Sequence, residues 1–194
     1  NGYVLNDGGG LSQIVDPDFP GAVATLAPGV VAMDGYVFIA SQEGQIYNSD
    51  LNDPTTWNAL GFLSASAYTD SIVALARHLE YVVAFGQTST QFFYNAGNPA
   101  PGSPLSPVPN TQFQIGCAAA GSICSTGNSL FWLANTQVRG FTVMRLDGFR
   151  PVKVSDPYID RMLSQAMSFV STRQITGYSV IMRGHTFYVL NIPA

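Results

Sequence analysis

Few residues in this chain carry chemical potential, and each group stops short of a working constellation. Asp50, Asn52 and Asp53 form its most oxygen-rich cluster, and calcium takes ligands of this kind. Their spacing is not that of an EF-hand loop, and Pro54 follows at once. Ser49, Asp50, Asn52 and Asp53 instead suit a corner whose short polar side chains bond nearby backbone, with Pro54 setting one φ angle. Trp57 then returns the chain to the apolar interior as the next strand begins.

The other candidates fail for separate reasons. His78 and His185 sit at or beside expected hairpin turns two repeat units apart, so turn or edge hydrogen bonding is expected. Gly8-Gly9-Gly10 lacks the Lys-Ser/Thr and following helix of a phosphate loop. Ser125 and Ser155 lie in no G-x-S-x-G context. Cys117 and Cys124 make no C-x-x-C pair, and two thiols alone cannot build a structural zinc site. A disulfide between them and two buried thiols are both compatible with the sequence. The corner also invites comparison with the aspartate box of sialidase-type propellers, Ser-x-Asp-x-Gly-x-Thr-Trp. Asp50, however, precedes Trp57 by seven residues rather than five, and the glycine is missing. The only glutamates are Glu43 and Glu80, and six of the seven arginines lie in one third of the chain. No catalytic residue, no cofactor and no metal are expected, and an enzyme is not expected.

The elements that position these residues read as short strands. Four segments share one plan of apolar strand, tight turn and stronger apolar strand, with turns at Asp34-Gly35, Arg77-His78, Gly127-Asn128 and Arg183-Gly184. Gly in three of them tolerates the positive φ of two-residue hairpins. Third strands are expected at 45–48, 91–94 and 141–144, and fourth strands at 57–60, 111–114 and 151–154. Four-stranded units repeating at roughly 40–50 residues have the pattern of propeller blades. The expected fold is therefore all-β, a β-propeller of four-stranded antiparallel blades, as a partial propeller from a longer chain. Residues 1–27 are read as the end of a preceding blade, 28–62 as a blade, 70–115 as a blade carrying a Pro-rich loop at 95–109, and 121–155 as a blade. Residues 156–170 follow as a short helix and connector, with Asp156 as N-cap and Pro157 in the first turn. Residues 174–194 begin a further blade. The five prolines of 95–109 preclude a central strand or a helix, so that stretch is read as an extended surface loop.

Charge is scarce and unevenly placed. Charged residues are 10% of the chain against a usual share of about 25%, which suits a surface largely covered by neighbouring subunits. Residues 1–138 carry nine acids and one base, Arg77, whereas 139–194 carry seven bases and three acids, giving −8 and +4. The overall acidity argues against a free-standing nucleic-acid binder. No apolar run is long enough for a membrane-spanning helix.

Several passages together resemble one family. They are Asp34-Gly35-Tyr36; Ser49 to Leu60; Phe85-Gly86-Gln87-Thr88-Ser89-Thr90 with Tyr94-Asn95-Ala96-Gly97; and Gly184-His185-Thr186-Phe187-Tyr188-Val189-Leu190. Gly116-Cys117, Phe131-Trp132-Leu133 and Gly148-Phe149 stand in the same order. Over roughly residues 28–192 the chain resembles the packaged-DNA stabilisation proteins, or tail hub and nozzle proteins, of short-tailed bacteriophages. That resemblance implies a structural virion protein, assembled in the bacterial cytoplasm. Six copies would form a tube that retains packaged DNA and conducts it at ejection. It implies portal-adaptor ring proteins and tail fibre or needle proteins as partners, and passage of double-stranded DNA without sequence recognition. Pro99, Pro101, Pro104 and Pro107 of the long loop, with Arg145, Arg150 and Lys153 of the basic third, are the expected inter-subunit contacts. The alternative is a carbohydrate- or receptor-binding propeller, with Tyr and Trp on blade rims stacking on sugars.

Overall fold

Val82, Val83, Ala84 and Phe85 are four consecutive buried residues, which a strand allows only when both sheet faces are covered. The computed structural model describes residues 2–65, 70–136 and 140–193, and supplies those two covers. The strands are β1 (Tyr3–Leu5), β2 (Leu11–Gln13), β3 (Val31–Met33), β4 (Tyr36–Ala40), β5 (Gln45–Asp50) and β6 (Asp53–Ser64). They continue as β7 (Ile72–His78), β8 (Tyr81–Gly86), β9 (Thr90–Asn95), β10 (Leu105–Pro107), β11 (Gly116–Cys117), β12 (Cys124–Thr126) and β13 (Ser129–Thr136). After β14 (Gly140–Asp147) and β15 (Arg150–Lys153) come helix α1 (Pro157–Ala166), β16 (Thr176–Met182) and β17 (His185–Asn191).

All pairings are antiparallel meanders: β3-β4-β5-β6, β7-β8-β9-β10, a third sheet of β13-β14-β15 edged by β11 and β12, and the two-stranded sheets β1-β2 and β16-β17. The architecture is all-β and propeller-like, as the repeat predicts. In the third sheet β11 and β12 pair with opposite ends of β13, so together they serve as one interrupted edge strand.

The core is divided between successive sheets. Phe38, Ala40 and Ile46 of the first sheet meet Leu75, Val82, Ala84 and Phe93 of the second. Val83, Phe85 and Phe92, on the other face of the second, meet Leu130, Trp132 and Met144 of the third. Leu133, next to Trp132 but pointing away, packs with Leu163 of α1 and Ile175. Burying side chains this fully is worth about 1.5–3 kcal/mol each, so these three seams carry most of the stabilisation. Close backbone approach completes them. A Cβ on Gly116 would lie 2.0 Å from the carbonyl oxygen of Gln87, so only glycine fits at that seam.

Three expectations are corrected. The second central turn is not Arg77-His78 but Leu79-Glu80, since β7 runs through His78 and pairs it with Tyr81. Leu79 takes a positive φ of 54° in this turn, which has no Gly. The fourth strand of the second sheet is not 111–114 but β10, inside the Pro-rich stretch. Proline lacks only the N–H, so it is tolerated at a sheet edge, and β10 is the edge. From 111–114 only Phe113 forms a bridge, with Thr90. Finally, Pro104 is buried, and Leu105 beside it enters the core, so the 95–109 stretch is anchored at its centre.

Helix α1 starts as expected: the Asp156 carboxylate accepts from the backbone N–H groups of Tyr158 and Ile159 at 2.9 and 2.8 Å, with Pro157 in the first turn. Among the described residues no helix is long and apolar enough to cross a membrane.

Candidate functional site

The polar corner is built from a two-residue turn and a bulge. Leu51 and Asn52 form the turn between β5 and β6, with Asn52 at φ 58°. Pairing then jumps from Asp50↔Asp53 to Ser49↔Trp57, leaving Pro54, Thr55 and Thr56 looped out. Asp53 organises this bulge, accepting from the Thr55 N–H at 2.9 Å, the Thr55 hydroxyl at 2.6 Å and the Thr56 hydroxyl at 2.9 Å. Those bonds from Thr55 and Thr56 hold its carboxyl below the usual range. The buried Ser49 hydroxyl accepts from the Val37 N–H at 3.0 Å and donates to the Asp50 carbonyl. Trp57 is buried against Phe19 with ring centroids 5.2 Å apart, and its Nε1–H donates to the Pro54 carbonyl at 3.0 Å. The corner is thus self-bonded through Asp53, while Asp50 is exposed.

Asp50 belongs to a cavity of about 380 Å³ that the sequence did not reveal. One wall comes from the first sheet, through Tyr36, Asn48, Asp50 and Asn58; the other is the loop carrying Asn98 and Pro101. That loop is pinned. The Asn98 amide donates to the Ser103 and Leu105 carbonyls and the Ser106 hydroxyl at 3.1–3.3 Å, and Asn95 donates to Asp34 at 3.0 Å. Asn48 is only 7% exposed, and its Oδ1 has no hydrogen-bond partner among the described residues. The wall pairs a Pro-rich loop with residues some fifty positions earlier, and no local pattern encodes that meeting.

The basic residues do not form one group. Lys153 is bound inside the chain, its ammonium on the Asp160 carboxylate, which also accepts from the Ser155 hydroxyl at 2.6 Å. Burial pushes the Asp160 carboxyl up, but the bonds from Lys153, Ser155 and Thr142 outweigh it and hold the group below the usual range. Arg150 is exposed, and Arg145 is half-buried on β14 with an Nε that has no partner among the described residues. Pro99, Pro101 and Pro107 are exposed, unlike Pro104.

Two residues that the sequence reading passed over organise neighbouring turns. Asp16 accepts from the Trp57 N–H at 3.0 Å, and Asp70 accepts from the Thr88 N–H, the Thr88 hydroxyl and the Ser89 hydroxyl at 2.6–3.0 Å. Asp16-Pro17 is an ordinary turn signal that marks the first. Cys117 and Cys124 are both free, and burial pushes the Cys117 thiol up to about 12, so it stays protonated and unreactive near neutral pH. His78 donates from Nε2 to the Gly148 carbonyl at 3.0 Å, whereas His185 is exposed beside Phe187. Among the described residues no three His, Cys, Asp or Glu side chains are grouped to hold a metal ion. An apolar groove of about 800 Å³ lies between α1 and the ends of β14 and β17, lined by Val143, Met162, Phe169, Tyr188 and Leu190. The geometry offers surfaces for binding.

Two solved structures are similar in shape. The computationally designed Ika4 protein shares 12% identity and a TM-score of 0.49, covering 94% of this chain and 99% of its own. The N-terminal domain of Nup159 shares 12% identity and a TM-score of 0.40, covering 86% of this chain and 39% of its own. No curated protein is similar enough to the chain to count as a relative. Residues 2–194 match the family model described as "Bacteriophage P22 Gp10, beta-propeller", and the chain belongs to that family of phage structural proteins.

Proposed function

We propose that this chain is a structural part of the tail of a short-tailed bacteriophage, in a hexameric conduit that retains packaged DNA and conducts it outward at ejection. The observation that carries this reading is the family match across residues 2–194. Portal-adaptor ring proteins above and fibre or needle proteins below are its partners in this reading, and DNA is cargo rather than ligand.

The electrostatics support it. Each phosphate neutralised by Lys or Arg adds affinity, which in a conduit becomes friction. The chain has one lysine, Lys153, and its ammonium is occupied by Asp160. Arg77, the one base before residue 139, donates to the carbonyls of Ala32 and Leu79. Acids of residues 1–138 then line or flank the lumen, while exposed Arg150, half-buried Arg145 and the Pro99–Pro101 loop meet neighbouring subunits. Exposed apolar groups such as Phe169 and Met162, at 90% and 53%, suit burial against a neighbour.

Cryo-electron microscopy of the assembled full-length protein tests this. Six-fold rings with acidic side chains toward the bore are expected. Isolated monomers, or a bore ringed by Arg145, Arg150 and Lys153 with the acids outside, reject it.

A further inference from the structure

We propose that the cavity between the first sheet and the 98–104 loop is a binding site for a neutral, hydroxyl-rich ring of the size of a monosaccharide unit. This goes beyond the conduit role and does not depend on it.

The first argument is an unmet hydrogen bond. Asn48 is 7% exposed and commits its Nδ2 to the Ser49 carbonyl at 3.0 Å, which orients the amide and leaves Oδ1 as an acceptor without a donor. Buried acceptors are nearly always paired, and an unpaired one costs about 1–3 kcal/mol, so the exceptions call for an explanation. Asn48 lines the cavity, where a ligand hydroxyl would supply the missing donor.

The second argument is the chemistry of the walls. Asp50 is a second acceptor, Asn58 uses its Oδ1 on the Leu60 N–H and keeps its amide hydrogens free, and the Tyr36 ring and Pro101 give apolar surface. Acceptors beside an amide donor match vicinal hydroxyls, and an aromatic ring matches the C–H face of a pyranose. Among the described residues no cation lines the cavity, so Asp50 would repel a phosphate or carboxylate. One carboxylate is too few for a calcium site. A purely apolar ligand would leave Oδ1 of Asn48 unpaired.

The third argument is shape. A volume of about 380 Å³ lies within the range usual for small-molecule pockets. The loop that closes it is already held by Asn98 and Asn95, so little ordering is required on binding.

Saturation-transfer NMR of the full chain with a panel of neutral hexoses, deoxyhexoses and N-acetylhexosamines, together with a glycan array, tests the site. A dissociation constant of about 1 mM for at least one monosaccharide is expected. It should weaken tenfold or more in Asp50→Ala and in Gly102→Trp, which fills the mouth, with melting temperatures close to wild type. Both residues are exposed, and a Cβ on Gly102 meets nothing nearer than 4.0 Å, so both variants should fold. Silence across the panel and the array overturns the proposal, as does saccharide binding that survives both substitutions. A crystal soaked with the panel that shows only ordered water on Asn48 Oδ1 overturns it too.

Discussion

The imidazole Nε2 of His78 lies 3.0 Å from the carbonyl oxygen of Gly148, tying the central turn of the second sheet to the outer turn of the third. A carbonyl can only accept, so Nε2 carries the proton. Phe149, next to Gly148, sits edge-on to Tyr81 and Phe92 with centroids 4.7 and 5.4 Å away. One polar bond and an aromatic cluster thus seal the same seam.

His78 makes that seam acid-sensitive. Burial lowers its proton affinity below the ordinary value of 6.5, and the bond to Gly148 offsets this only in part. The unfolded chain takes up a proton as pH drops past 6.5 while the folded chain resists it. The contribution of His78 to stability is therefore fully present above pH 6.5 and lost as pH falls through the depressed folded value. Urea midpoints measured from pH 7.5 to 5 should fall in the wild type and fall less in His78→Gln. Equal slopes would show that other groups dominate.

Trp132 is the largest fully buried side chain, 5.2 Å from the Phe85 ring and with its Nε1–H on the Gly116 carbonyl at 3.2 Å. Trp132→Ala should cost about 3–5 kcal/mol through the cavity it leaves. Trp132→Phe should cost much less, because most of the ring volume stays. Chemical denaturation of both variants, read by circular dichroism, checks the order.

Much of this seam was legible, and the reason is periodicity. The runs around Val82–Phe85 and Leu130–Ala134 are apolar on both strand faces, which only sheets stacked on either side explain, and so the propeller pattern was readable. Asp156-Pro157 announced its helix because capping chemistry is local. The Leu79 turn was not readable, since nothing in a leucine signals a φ of 54°; the surrounding pairing imposes it. β10 was hidden because proline usually argues against strands, and only its place at an edge removes the objection. The bonds from His78 to Gly148 and from Trp57 to Asp16 span 70 and 41 residues, distances over which no local pattern carries information. The cavity at Asn48 was missed for the same reason, although Asp50 on its rim had been singled out.

Gly116 tests close approach at the same seam. A methyl group there would overlap the Gln87 carbonyl at 2.0 Å, so backbone must shift. Gly116→Ala should lose about 1–3 kcal/mol, equivalent to several degrees in melting temperature. Gly10→Ala, where a Cβ meets nothing within 4 Å, is the matched control and should change little. Similar losses in both would remove the steric explanation.

The link between Lys153 and Asp160 joins β15 to α1, with Ser155 and Thr142 completing the network. Asp160→Asn removes the charge that satisfies a partly covered ammonium, and Lys153→Met replaces that ammonium with apolar surface. Asp160→Asn should therefore destabilise the more, by about 1–3 kcal/mol, since it strands a charge. Hydrogen exchange in residues 157–166 should quicken in Asp160→Asn before the sheets do. Uniform quickening would mean the pair does not act locally.

Cys117 has the opposite pH behaviour to His78. Burial raises its thiol from 9.0 to about 12, so above pH 9 the unfolded chain ionises while the folded chain stays protonated. Its contribution is fully present below pH 9 and declines as pH rises toward about 12, by at most about 1.4 kcal/mol per pH unit. Cys117→Ala removes this titration and should flatten the alkaline limb of the stability profile, at the cost of a small cavity. Thiol labelling gives an independent readout. At neutral pH the half-buried Cys124 should react with iodoacetamide well before the buried Cys117. Labelling of Cys117 should then track global unfolding, because its sulfur is enclosed by the second and third sheets and is reached only when they part. Labelling of Cys117 at the rate of Cys124 would mean that the seam opens locally, which would also undercut the acid sensitivity assigned to His78.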